Sequence, residues 1–359
     1  MTTAYLNRIA TAVPEHDVHD AFVVFAEKML HDPRLQAVFR RMANRADITH
    51  RYSFLNPQQD PDRFSAYDAH EFYQLGNFPN TARRMELFEQ SAPVLMRKAV
   101  DRLALSEEER AGITHVLVTC CTGLYAPGLD FEIVDHLGLD AGVERTMVGF
   151  MGCYAAINAL KLARHIVRSE TKAGVLMVNL ELCTLHFQET QELEQVLSFL
   201  VFADGAAASL ITAREQGFAL DSFKAVMVPE TRGLITWKIR GLGFDMLLSG
   251  QVPAELGRAL HESELMAGRD GRDGRDGIDL WAVHPGGRSI LDAVEKGLEL
   301  PADALAASRE VLSCFGNMSS ATVMFVLERI MQGARPGQSG CAMSFGPGLT
   351  AETMRFHAV

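Results

Sequence analysis

The sequence lacks any apolar run approaching the roughly 18 residues that cross a bilayer, so membrane insertion is not expected. Its opening, M-T-T-A-Y-L-N-R-I-A, carries no secretion-signal pattern. Cysteine is sparse, and the six present (120, 121, 153, 183, 314 and 341) show neither metal-ligand nor disulfide spacing. Cys120 and Cys121 are adjacent, not a C-x-x-C pair. No metal site is expected, and the reduced cytoplasm is the simplest location. Positive charge is short as well. A net charge of −11 argues against general nucleic-acid binding, and a protein of this balance that handles an anionic substrate must concentrate its cations locally. No residue-level internal repeat is visible. What remains is a 359-residue chain with 48% hydrophobic residues, enough for one large or two medium domains with a substantial core.

The stretch 144 to 168 organises the rest. A short apolar run, Met147 to Met151, meets Gly152-Cys153, and a helical pattern follows with Ala156, Leu160, Ala163 and Val167 at helical spacing. Cys153 is thereby placed at a strand-to-helix turn, at a helix N-terminus. Unpaired amides and the macrodipole favour an anion there, so the thiol is expected to ionise more easily. Gly152 permits the sharp turn and a close approach. Cys153 is either a nucleophile or a small buried hydrophobe, and partners elsewhere decide between these.

Two later stretches offer partners. In D-L-W-A-V-H-P-G-G-R, an apolar strand ends at His284 and is broken by Pro-Gly-Gly. In V-L-S-C-F-G-N-M-S-S-A-T, Asn317 follows a glycine and precedes a helix over Ala321 to Met331. Taken singly, the His reads as structural and the Asn as a helix cap. Together the three supply a thiol, a base and a neutral donor, the equipment for acyl transfer through a thioester.

The motifs G-C-Y-A-A, H-P-G-G, G-N-M-S-S and S-F-G-P-G-L-T, in that order, resemble the type III polyketide synthases, the chalcone and stilbene synthase superfamily. The resemblance covers about Tyr5 to Arg355. The interval of 33 residues from His284 to Asn317 fits the family. H-P-G-G and N-M-S-S separate the chain from ketoacyl-ACP synthase III relatives, which share a Cys-His-Asn triad. That condensing enzyme is one alternative, and an inactive thiolase-fold binding subunit is the other.

The elements themselves read as α/β. A strand, a turn at Pro14 and a helix capped near Asp17 fill residues 10 to 30. Residues 34 to 51 read as a helix with five arginines. Thr81 to Leu105 is a long helix, and Ser106 with Glu109 forms a capping box. Buried strands are expected at 113 to 123 and 173 to 180, a helix end, turn and strand at 197 to 211, and a final strand at Gly340 to Phe345. The resemblance implies the thiolase fold, five layers αβαβα in two similar halves, here 1–214 with the cysteine and 215–359 with the His and Asn, in a homodimer. Residues 268 to 277, G-R-D-G-R-D-G-R-D-G, read as an exposed loop.

The resemblance also implies chemistry: repeated decarboxylative condensation of malonyl-CoA onto a starter acyl-CoA, with no cofactor, then cyclisation to an aromatic or pyrone product. Cys153 would hold the chain, and His284 and Asn317 would donate to the malonyl thioester oxygen as it becomes an enolate. Arg41 and Arg45 match positions that hold coenzyme A phosphates, and four-residue spacing would put them on one helix face. Phe202 and Phe244 match the gatekeepers, and Ser319 a position lining the initiation site. Other positions depart from the plant pattern. Cys121, Cys183 and His186 stand at threonine positions, Ala126 at a methionine that crosses the dimer, Ile235 at a cavity glycine, and Ser344 at a common glycine. Ala126 would enlarge the cavity, while Ile235 and His186 would fill it. These departures point to a bacterial-type member.

Overall fold

The computed structural model describes residues 2–58, 66–262 and 277–359. The tract 268 to 276 lies outside them, as do residues 59 to 65. In chain order the first half runs β1 Tyr5–Ala12, β2 His16–Asp17, α1 His19–Met29, α2 Pro33–Ala43, β3 Tyr52–Ser53, α3 Thr81–Arg102, α4 Glu107–Ala111, β4 Ile113–Cys120, α5 Leu129–Leu137, β5 Glu144–Gly149, α6 Ala155–Ser169, β6 Gly174–Leu182, α7 Leu193–Val201 and β7 Asp204–Thr212. The second runs β8 Phe218–Met227, β9 Ile235–Arg240, β10 Gly243–Leu248, α8 Val252–Glu262, β11 Leu280–Val283, α9 Arg288–Gly297, α10 Ala306–Phe315, α11 Thr322–Gly333, β12 Ser339–Gly346 and β13 Thr350–Ala358.

Nine strands form one mixed sheet, ordered β11-β12-β13-β8-β1-β7-β6-β4-β5. It is two half-sheets with a thin seam. β1 and β8 pair only at Tyr5↔Ala219 and Leu6↔Phe218. The long I-T-H-V-L-V-T-C run makes β4, parallel to both β5 and β6 and buried along nearly all its length, as a strand covered on both faces must be. Between the half-sheets lie α6 and α11. The α6 stripe Ala156, Leu160, Ala163 and Val167 packs with Val323, Met324 and Leu327 of α11 and with Met177, Ala342 and Met354 from both half-sheets. α3 and α5 cover the outer face of the first half-sheet. α8, α9 and α10 cover that of the second. The result is the five-layered αβαβα arrangement of the thiolase fold, with each central helix starting beside its own functional turn.

Several boundaries differ from expectation. The 34-to-51 helix ends at Ala43, where Asn44 caps it, and the chain then turns. The sheet gains β13 beyond the strand expected to be last. The ribbon β9-β10 was not anticipated at all, although I-T-W-K-I-R alternates as a strand does. The capping box at Ser106 and Glu109 forms in both directions.

Candidate active site

Cys153 sits in a single 3-10 turn, Gly152–Tyr154, that feeds directly into α6. Gly152 has φ +73, and a Cβ there would lie 2.3 Å from Pro347 Cδ. Both the left-handed backbone and the close approach of the second half therefore demand glycine. His284 follows β11 and is 1% exposed, and neither ring nitrogen has a protein hydrogen-bond partner. Asn317 is locked between strands and helices. Its N–H donates to the Val201 carbonyl at 2.7 Å, and its own carbonyl accepts from Ala203 N–H at 2.9 Å. The Ser319 N–H donates to Asn317 Oδ1 at 2.9 Å, and Asn317 Nδ2 donates to the Gly286 carbonyl at 3.2 Å. This holds the carboxamide with its NH₂ edge toward the His284 turn. Ser319 takes a left-handed φ of 49, and its hydroxyl lies 3.6 Å from Cys153 Sγ.

Cys153, His284, Asn317 and Ser319 all line one apolar cavity. Cys121, Cys183, Phe202 and Ile235 line it too. Others fall elsewhere. Phe244 and His186 are buried behind the wall, stacked on each other at 4.1 Å. His186 therefore does not fill the lumen. Its Nε2 bonds the Thr122 carbonyl, and its Nδ1 accepts from Phe244 N–H. Ala126 is exposed and outside the cavity in the single chain. Ser344 is an ordinary β12 residue paired with Glu352, so it needs no glycine and does not reach the lining. The expected list missed Trp237, Met246, Leu248 and Val252, all on the ribbon or just after it.

The expectation of an easily ionised thiol is reversed. Burial pushes Cys153 up to about 12, and the nearby Glu181 charge adds to this, against the Ser319 and Asn317 hydrogen bonds. Burial also drives His284 down to about 3. The helix terminus does not offset the loss of solvent. Burial thus favours the neutral form of each group, a thiol and an imidazole that line the same cavity.

A groove adjoins the cavity through Leu248, Val252, Gly286 and Ile290. Arg45 and Arg288 line it, whereas Arg41 does not. Because α2 stops at Ala43, Arg45 lies in the following turn and the two arginines do not share a helix face. Arg288 begins α9 and donates to the Arg45 carbonyl and to Asp47. The motif H-P-G-G-R was the signal that could have found it. Among the described residues no helix is long and apolar enough to cross a membrane. All six cysteines are free.

A five-layered fold whose central helices deliver a cysteine and an asparagine to one apolar cavity is that of the thiolase-type condensing enzymes. Residues 2–215 match the N-terminal domain of the chalcone and stilbene synthases, and residues 219–359 match the C-terminal domain. Bisdemethoxycurcumin synthase of Oryza sativa subsp. japonica is 32% identical over 98% of this chain and 91% of its own length. PKS-I of the brown alga Ectocarpus siliculosus superposes with a TM-score of 0.87 at 29% identity, covering 100% of this chain and 99% of that one. The type III polyketide synthase domain of Steely1, a type I/III hybrid from Dictyostelium, gives 0.87 at 22% identity over 99% of each chain. The chain belongs to the chalcone and stilbene synthase family. It is a type III polyketide synthase, an acyltransferase.

Proposed function

We propose that Cys153, His284 and Asn317 are the catalytic groups, and that the substrates are malonyl-CoA and a starter acyl-CoA. The observation carrying this is the buried His284, with two unpartnered nitrogens, on the same apolar cavity as Cys153 and an oriented Asn317. The Cys153 proton passes to His284 as sulfur attacks the starter thioester, and coenzyme A leaves as its thiol. Malonyl-CoA then loses carbon dioxide. His284 and Asn317 donate to the oxygen where enolate charge develops, and the carbanion attacks the acyl-Cys153 carbonyl. The C–S bond breaks, Cys153 leaves as thiolate, and the extended chain is carried on coenzyme A until Cys153 takes it back by thioester exchange. Neutral donors suit this step, because a cation would also hold the malonyl carboxylate and favour the ground state. Mass spectrometry of products from malonyl-CoA with a panel of acyl-CoA starters tests the reading. Asn317→Ala should still acylate Cys153 but stall before extension, while Cys153→Ala should do neither. Undiminished condensation by Cys153→Ala refutes it.

Arg45 and Arg288, on the groove that opens into the cavity, are the proposed contacts for the coenzyme A phosphates. Arg41 is exposed nearby, and its contribution is through charge alone. Double substitution of Arg45 and Arg288 by Ala should raise KM for acyl-CoA more than it lowers kcat. The bacterial-type assignment rests on Cys121, Cys183 and Ile235 lining the cavity. It predicts that fatty acyl-CoAs outcompete 4-coumaroyl-CoA, and preferred turnover of the latter overturns it. A homodimer in the cytoplasm completes the proposal. The homodimer is supported by the sheet edge β5, unpaired among the described residues, and by the exposed Leu124, Phe131, Met147 and Met151. Light scattering on the purified protein tests it.

A further inference from the structure

The ribbon gives the cavity a direction. Leu248 belongs to both the groove and the cavity, and it pairs across the ribbon with Ile235. One step further from the groove the cross-strand pair is Trp237 and Met246, and both line the cavity. The next inward-facing position, Phe244, no longer does. Along the ribbon the lumen therefore stops at Trp237. Its indole Nε1–H donates to the Cys121 carbonyl at 2.7 Å, tying the ribbon to the turn after β4. Its ring stands edge-on to His186 at 5.3 Å and 89°, and to Phe244 at 5.8 Å and 81°. Behind it, His186 and Phe244 stack, with both His186 nitrogens bonded to backbone at Thr122 and Phe244. The three rings make a plug, and only Trp237 faces the lumen.

We propose that Trp237 is the end stop of the cavity and sets the length of the acyl or polyketide chain that Cys153 can carry. His186 and Phe244 are positioning residues that act through it. The indole is large and braced at two edges and at its nitrogen, so a growing chain cannot swing it aside without breaking all three contacts. Bulk, not the N–H bond, is what the chain meets.

This rests on the polyketide synthase reading, and the experiment separates the two. Wild type, Trp237→Phe, Trp237→Leu and Trp237→Ala are compared by circular dichroism for folding. Acylation of Cys153 by starters from acetyl-CoA to palmitoyl-CoA is then followed by intact mass, and products by mass spectrometry. Trp237→Ala should shift the preferred starter to longer chains, or add a ketide unit to the main product. The change in long-to-short preference should be about tenfold or more, the scale of apolar pocket discrimination. Trp237→Phe should keep the wild-type profile, and Trp237→Leu should fall between. If Trp237→Ala does not fold, Leu against Phe makes the same comparison. Unchanged profiles in the folded variants overturn the proposal, as does an equal shift in Phe and Ala, which would assign the effect to the lost hydrogen bond. A wild type that makes no polyketide at all would instead overturn the functional reading.

Discussion

Replacing Glu181 with Gln should flatten the pH dependence of stability. Glu181, next to last in β6, is fully buried against the Cys121–Thr122 turn. One carboxylate oxygen accepts from Cys121 N–H and the Thr122 hydroxyl, each at 2.9 Å, and the other lies 2.5 Å from the Ser320 hydroxyl. Among the described residues no cation pairs with it. Burial outweighs these bonds and raises its pKa from 4.5 to about 7. The folded protein therefore keeps a proton that the unfolded chain releases across that window, and stability falls as pH rises through it. Ionised Glu181 costs the folded state about 3 kcal/mol once pH passes 7.

Gln fits the same space. Its oxygen can accept from Cys121 and Thr122 while its NH₂ donates to Ser320, whose own proton can turn to Thr119 Oγ1, 2.9 Å away. Urea unfolding from pH 5 to 8 should show Glu181→Gln gaining about 3 kcal/mol on wild type as pH rises, level thereafter. Asp204, also raised by burial to about 7, titrates in both proteins and cancels. A second readout follows from the Glu181 charge holding the Cys153 thiol up. Iodoacetamide should alkylate Cys153 faster in the variant above pH 7 and at an equal rate below pH 5. Parallel stability curves for the two proteins would refute the reasoning.

Gly152→Ala should lose condensation while remaining folded, because a left-handed alanine alone costs about 1–3 kcal/mol and its Cβ meets Pro347. Tm and product formation check this, and wild-type turnover would sink it. His284→Ala should slow alkylation of Cys153 at pH 7 by about tenfold or more, since it removes the cavity base proposed to take the thiol proton. Cys314, half-buried and off the cavity, is the internal control, and an equal effect on both thiols would refute it.

The layered fold and the three polar groups were legible because each depends on local pattern. Ala156, Leu160, Ala163 and Val167 announce a buried helix by spacing, and Gly152-Cys153 announces the turn before it. His284 and Asn317 follow from strand and helix boundaries that glycine and proline mark. The groove arginines were only half legible. Arg41 and Arg45 looked like neighbours on a continuous helix, but Asn44 caps α2 between them, and an early cap turns every later side chain off the helix face. Ionisation was misjudged because the sequence shows the helix terminus that favours the thiolate and hides the burial that opposes it more strongly.

The cavity wall was the least legible part, and His186 shows why. Its position faces the active-site region, and a side chain there was expected to occupy the lumen. Two backbone groups decided otherwise. The Thr122 carbonyl and the Phe244 N–H each bond one ring nitrogen, one accepting and one donating, which suits a neutral imidazole and fixes its plane. With the ring so held, Phe244 can only stack behind it, and the ribbon brings Trp237 across the front. Sequence pattern tells which face of a strand a residue occupies. It does not tell which of three stacked rings is outermost, because that order is set by hydrogen bonds between segments 64 and 58 residues apart.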